Sequence, residues 1–212
     1  MSQYSDVTYV RSGEPIDGIR DWVWIRGDGG AWGSPRADWA LSHREKILTY
    51  VKDFRFVVQA GGNLGIYPRL LSNMFQAVYT FEPDPLNFYC LSMNCQKDNI
   101  VKIQAALGKE NGCVSIVRRT MQNVGMHMVA ENPNAFIPCL SLDSFKLPFL
   151  DLLMLDTEEY EPNIIQGAFK TIEKFKPVIF SESPHILDLL PEYKIVDRSA
   201  MDTIFIHKDK LP

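Results

Sequence analysis

Residues 56–68 constrain the fold more than any other stretch: Phe56-Val57-Val58-Gln59-Ala60-Gly61-Gly62-Asn63-Leu64-Gly65-Ile66-Tyr67-Pro68. An apolar, β-branched run leads into three closely spaced glycines. From Ile66 the apolar spacing turns helical, and Pro68 falls in the first helical turn, where a missing N–H costs nothing. The pattern is strand, glycine-rich turn, helix. Such a turn lets backbone approach a ligand closely, and the helix start offers free N–H groups. Gly61-Gly62-x-x-Gly65 falls short of the full G-x-G-x-x-G pattern. On these residues alone a tight turn without a ligand stays open.

The next segment narrows the choice. Ala77–Phe81 has the composition of a second strand and ends in Glu82-Pro83-Asp84-Pro85. An acidic residue about 20 positions beyond the glycines, at a strand end, is placed to accept hydrogen bonds from a ribose diol. Pro83 restricts Glu82 to extended backbone. Leu150–Leu155 is a near-continuous apolar run, as a central parallel strand requires. It ends in Asp156-Thr157-Glu158-Glu159-Tyr160-Glu161. Glu159 and Glu161 suit a helix start. Asp156, at the end of a buried strand, is expected in the same crevice as Glu82.

Strands and helices alternate over most of the chain. Helices are expected over about 35–52, from Ile66, over 86–97, over 162–174 and, short, over 185–190. Further strands are expected at Trp22–Ile25, Ile100–Leu107, Pro177–Glu182, Tyr193–Val196 and Thr203–His207, with Cys113–Val117 as a hairpin partner of the third core strand. The alternation predicts an α/β fold, a mostly parallel sheet with helices on both faces. The last two strands are too close for a helical crossover and should pair antiparallel. Residues 1–34, rich in Gly, Asp and Trp, are expected to be irregular, with the tryptophans forming a lid over a folded core that survives their deletion. Trp24, Trp32, Trp39 and His43 are expected to pack over the sheet edge. One domain is expected over 35–212, with an insertion at about 118–137 that holds some β character.

The chain has 212 residues and a net charge of −4. That length suits one α/β domain with a full core, and the charge gives no electrostatic footprint for nucleic acid. No apolar run approaches a membrane span. The first residues show neither the basic nor the apolar segment of a secretion signal, and Cys90, Cys95, Cys113 and Cys139 form no C-x-x-C pair. A cytoplasmic protein with reduced thiols is expected. The histidines have no metal-ligand spacing, so no metal is expected.

In order and spacing, these segments resemble the FkbM family of S-adenosylmethionine-dependent methyltransferases. Gln59-Ala60-Gly61-Gly62-Asn63-Leu64-Gly65 aligns with the family's D-x-G-A-N-x-G. Phe81-Glu82-Pro83-Asp84-Pro85 matches F-E-P-x-P, and Leu91-Ser92-Met93-Asn94 matches L-x-x-N. Ala105-Ala106-Leu107-Gly108, Leu142-Asp143, Met154–Glu161 and Pro177–Glu182 follow the family's later motifs. The resemblance implies a Rossmann-like class I methyltransferase fold and S-adenosylmethionine as cofactor. It implies a cofactor site of Gln59, Ala60, Gly61, Gly62, Asn63 and Gly65 at the turn, Glu82, Pro83 and Asp84 at the ribose, Gln104 and Ala105 at the adenine, and Asp156. Asp156, Glu158 and His127 are the candidates for base or acceptor positioning. The implied reaction is O-methylation of a small molecule or glycan, without nucleic-acid or membrane partners. A nicotinamide-dependent oxidoreductase and a non-catalytic cofactor-binding module are the alternatives. Three positions depart from the family pattern: Gln59 stands for an aspartate, Met154 for a lysine and Glu159 for a glycine. The Gln59–Gly62 version is similar to members found in phage genomes, which would place the protein in a host cytoplasm.

Overall fold

The computed structural model describes residues 9–12, 22–28, 38–132, 134–199 and 202–211. Two short strands, β1 (Tyr9–Ser12) and β2 (Trp22–Ile25), pair antiparallel. Helix α1 (Asp38–Tyr50) precedes the first sheet strand, β3 (Phe56–Ala60). Then come α2 (Ile66–Leu71), β4 (Ala77–Phe81), α3 (Pro85–Asn94) and β5 (Ile100–Ile103). Four short strands form a separate sheet: β6 (Ala106–Leu107), β7 (Gly112–Val117), β8 (Met128–Ala130) and β9 (Ile137–Leu140), in the order β6-β9-β7-β8. The chain returns through β10 (Leu152–Leu155), α4 (Glu161–Gln166), α5 (Phe169–Phe175), β11 (Val178–Ser181), β12 (Tyr193–Arg198) and β13 (Thr203–His207).

The main sheet has seven strands in the order β12-β13-β11-β10-β3-β4-β5. β13 alone runs against the rest, paired antiparallel with β11 and β12. The expected closing antiparallel pair is therefore present. Period-two alternation splits the core between the two faces. Val57, Leu152 and Phe180 pack on one face with α1–α3 and β2. Val58, Leu153 and Ile179 pack on the other with Ile164, Ile165 and Ile172 of α4 and α5. Strand ends therefore meet along one rim, at Ala60, Phe81, Leu155 and Ser181.

Four expectations are corrected. Ile100–Leu107 is two strands in two sheets, because the Ala105 N–H turns back onto the Ile103 carbonyl at 3.0 Å and ends the ladder. Cys113–Val117 does not pair with that segment, since β9 lies between β6 and β7. The helix expected over 162–174 breaks at Gly167. A Cβ there would lie 2.0 Å from the Gly108 carbonyl oxygen, and Asp143 caps the new start by accepting from the Lys170 and Thr171 N–H groups at 3.0 and 2.8 Å. Finally, Tyr9–Ser12, within the stretch expected to be irregular, is a strand, and it pairs with the strand that was expected at Trp22–Ile25. Trp22, Val23, Trp24 and Ile25 are all buried, and the Asn94 amide clamps the Val23 backbone at 2.8 and 3.0 Å. Trp32 lies outside the described residues.

Candidate cofactor crevice

The turn after β3 is built by contacts that only glycine permits. Gly61 has φ +84°, and a Cβ there would meet the Asp156 carbonyl oxygen at 1.7 Å. A Cβ on Gly62 would lie 2.3 Å from Leu91 Cδ1 and 2.7 Å from Thr80 Oγ1. The Gly61 and Gly62 N–H groups both donate to the Phe81 carbonyl, at 3.0 and 2.9 Å, which locks the turn onto the end of β4. Gln59 braces it from behind. Its fully buried amide donates to the Gly61 carbonyl at 2.7 Å and accepts from the Thr80 hydroxyl at 2.6 Å. Gln59 and Ala60 therefore sit within the sheet and do not line the crevice, and Gly65 lies behind the turn, against Cys95.

Glu82 ends β4 and is 5% exposed. One carboxylate oxygen accepts from the Asn63 N–H at 2.7 Å and the other from the Asp84 N–H at 2.8 Å. Burial pushes the carboxyl up to about 8, against the pull of those two bonds. Each oxygen keeps a second lone pair. Asp84, two residues on, has the opposite surroundings. It caps α3 by accepting from the Leu86 N–H at 2.9 Å. Arg118 reaches it with Nε and Nη2, both at 2.7 Å, and His127 Nδ1 lies 2.8 Å away. Burial would raise this carboxyl, but Arg118 and His127 hold it down at about 2.

The Asp84 pairing involves two of the expected site residues. Asp84 ties α3 to the 118–130 segment and offers its carboxylate to protein groups. His127 has Nδ1 on Asp84 and Nε2 3.1 Å from the Thr120 carbonyl. Both contacts tie the ring to the wall of the crevice.

The opposite wall is acidic. Asp156 follows β10, and its N–H donates to the Ala60 carbonyl at 3.1 Å. Asp156 and Glu182, which follows β11, lie side by side, and burial and neighbouring carboxylates push both carboxyls up. Glu158 is raised by burial and by Glu161. Glu158 and Glu159 are consecutive left-handed residues, at φ +53° and +75°. Glu161 closes the turn by accepting from the Thr157 N–H and hydroxyl, each at 2.9 Å.

Between these walls lies a crevice. It brings together Gly61, Asn63, Glu82, Pro83, Asp84, His127, Asp156 and Glu158 of the expected residues. Gly62 lines a smaller adjoining cavity. Gln104 is exposed and Ala105 is buried in the core, and neither lines the crevice. Asn87, Ile116, Val124, Val129, Thr157 and Glu182 line it without having been expected there. Glu182 carried a signal, an acid ending a buried strand as Asp156 does. The residues of 116–129 carried none, because tertiary pairing places them. Asn63 Oδ1 and Asn87 Oδ1 are buried with no hydrogen-bond partner. Among the described residues no group of three or more His, Cys, Asp or Glu could hold a metal ion, and no helix is long and apolar enough to cross a membrane.

The seven-stranded sheet with β13 alone reversed, and a glycine turn ending β3 at the rim, define a Rossmann-like class I methyltransferase fold. The methyltransferase FkbM domain model matches residues 67–196, more than half of the chain, and the chain belongs to that family. A methyltransferase FkbM from Methylobacillus flagellatus has a similar structure, with TM-score 0.51 and 18% identity, covering 72% of this chain and 43% of that one. Trm5b from Pyrococcus abyssi is similar with TM-score 0.51 and 12% identity, covering 95% of this chain and 56% of that one. The chain thus spans about half the length of these two solved relatives. No curated protein matches it.

Proposed function

We propose that the chain is an S-adenosylmethionine-dependent methyltransferase that methylates a hydroxyl of a small molecule or glycan. The observation that carries this reading is the Glu82 carboxylate at the crevice, braced by two backbone N–H groups and keeping two outward lone pairs. A vicinal diol donates to such a carboxylate. The rest of the crevice fits the same ligand. Gly61 and Gly62 let the turn close against Asp156, Thr80 and Leu91 at the edge of the crevice. Asn63 and Asn87 offer buried amide oxygens without partners, and Pro83, Ile116 and Val129 add apolar wall for a base.

The cofactor's sulfonium supplies the methyl group. The protein's part is to place the acceptor and its proton. Asp156 and Glu158, which line the crevice, orient the acceptor hydroxyl. Burial and neighbouring carboxylates raise both Asp156 and Glu182, which suits the pair to exchange hydrogen bonds with the acceptor. Calorimetry with S-adenosylmethionine, S-adenosylhomocysteine and NAD tests the reading. Both adenosyl compounds should bind and NAD should not. Binding of NAD alone would make this an oxidoreductase site, and binding of none would leave a module with a vestigial crevice.

A further inference from the structure

A small cavity that adjoins the crevice shares Gly61, Asn63 and Asp156 with it, and its lining includes Trp24 and Tyr67. The Tyr67 hydroxyl lies 2.5 Å from His43 Nδ1. On the other side of that imidazole, Nε2 lies 2.7 Å from Asp202 Oδ2. The three residues come from α2, α1 and the turn before β13, so only the fold assembles them. Tyr67 is 8% exposed, and the side chains of His43 and Asp202 are 13% and 8% exposed. The His43 ring is held from two sides: it stacks with Tyr67 at an interplanar angle of 9° and tilts against Phe180, with centroids 5.1 Å apart. Ser199 fixes Asp202 in turn, its hydroxyl accepting from the Asp202 N–H at 3.1 Å.

The direction of the bonds follows from what each group can do. A carboxylate only accepts, so the His43 proton sits on Nε2 and points at Asp202. Nδ1 then carries the lone pair and accepts from the Tyr67 O–H. This is a base, an orienting carboxylate and a hydroxyl in line, the arrangement that lets a hydroxyl hand its proton on.

We propose that Asp202, His43 and Tyr67 form a proton relay that takes the proton of the methyl acceptor, with Tyr67 as the group that touches it. The proposal rests on the methyltransferase reading above. In the transfer, an O–C bond forms from an acceptor lone pair, the S–C bond breaks, and its electron pair stays on sulfur. The acceptor's O–H proton passes to the Tyr67 oxygen as the Tyr67 proton passes to His43 Nδ1. The positive charge lost from the sulfonium reappears on the imidazole, next to Asp202. Tyr67 is thus a catalytic residue, while His43 and Asp202 act through it.

The surroundings favour a relay over a standing tyrosinate. Burial and the charges of Asp156, Asp202 and Glu182 push the Tyr67 phenol well up, so it gives up its proton only as it receives another.

Two measurements on the full chain test the relay, neither needing the acceptor. Nitrogen-15 NMR of histidine-labelled protein reads the tautomer. His43 is expected as Nε2–H with a bare Nδ1, and Tyr67→Phe should move the Nδ1 resonance. An Nδ1–H tautomer overturns the relay. Calorimetry compares S-adenosylhomocysteine with sinefungin, whose amine stands where the reactive methyl would be. Tyr67→Phe, which removes one oxygen and keeps the ring, should weaken sinefungin about 10-fold, the loss of one hydrogen bond to a charged group. S-adenosylhomocysteine should hold within about twofold. His43→Gln should lower the same ratio. Equal effects on both ligands overturn the relay and leave the methyltransferase reading standing. A wild type that binds neither ligand removes both.

Discussion

Replacing Glu82 separates two duties that the structure gives to one carboxylate. Its oxygens hold the Asn63 and Asp84 N–H groups at 2.7 and 2.8 Å, and its remaining lone pairs face the crevice. Glu82→Ala orphans both donors. A buried donor without a partner costs roughly 1–3 kcal/mol, so two cost roughly 2–6. Water entering the crevice offsets part of this, which puts the expected loss at the low end, about 2 kcal/mol. For a domain of this size that is a fall in Tm of about 4–8 °C. Glu82 therefore serves the fold as well as the ligand. Glu82→Gln is the sharper probe. Its amide keeps one acceptor and turns an N–H₂ toward the other backbone N–H. One bond to the diol is also lost, and with a charged acceptor that is worth roughly 1.5–3 kcal/mol, or about 10–100-fold in affinity for S-adenosylmethionine.

Calorimetry for affinity and thermal melts for stability read the two duties separately. An affinity within about twofold of wild type for Glu82→Gln would refute the ribose placement. An unchanged Tm for Glu82→Ala would refute the bracing, and with it the argument that Glu82 sets the shape of the turn.

Three more outcomes follow from the same geometry. Glu82 takes up its proton at about 8 in the fold, against an ordinary 4.5, and Asp156 and Glu182 are raised in the same direction. Between those values the folded state binds more protons than the unfolded, so stability falls as pH rises through that window. Asp84, lowered from 3.8 to about 2, contributes stability above 3.8 that is lost as pH falls toward 2. The ligand-free protein should melt highest near about pH 4–5, and a Tm that climbs from pH 5 to 8 would contradict this. Glu159→Gly removes a left-handed strain of roughly 1–2 kcal/mol, less a chain-entropy loss of about 0.5–1. Denaturant titration should show a small net gain, and a loss would mean that the Glu159 side chain stabilises the turn. Deleting residues 1–34 takes Trp22, Val23, Trp24 and Ile25 out of the core at roughly 1.5–3 kcal/mol each. The truncated chain should fail to fold cooperatively by circular dichroism, and a native-like melt would return the segment to the role of a removable lid.

What could be seen in the sequence is what local pattern determines. The runs at 56–60 and 152–155 are apolar on both faces, which only a central parallel strand tolerates, and the glycine cluster with an acid at the next strand end locates the crevice. What could not be seen depends on partners far along the chain. Gln59 aligns with a family aspartate and so was placed at the ligand, yet Thr80 from the adjacent strand turns its amide inward. His127 has the chemistry of a base, and Arg118 and Asp84 make it an anchor. His43 looked like packing because Asp202, its carboxylate, is 159 positions away by number in the chain.

Glu82 and Asp84 carry this furthest. They are the same functional group two residues apart, flanking one proline, and by sequence either could face a ribose. The fold gives Asp84 a guanidinium, an imidazole and a helix N-terminus, all of which favour the charged form, and so commits it to the wall. It gives Glu82 two neutral N–H groups and burial, which leave the carboxyl poised near neutral pH with acceptor capacity unused. A ligand diol that donates to Glu82 favours its ionised form, so binding below about pH 8 should release a proton and tighten as pH rises. No comparable linkage can arise at Asp84, whose charge is already neutralised by protein groups. The division of labour between the two carboxylates is thus set by Arg118 and His127, residues of the segment that carried least information in the sequence.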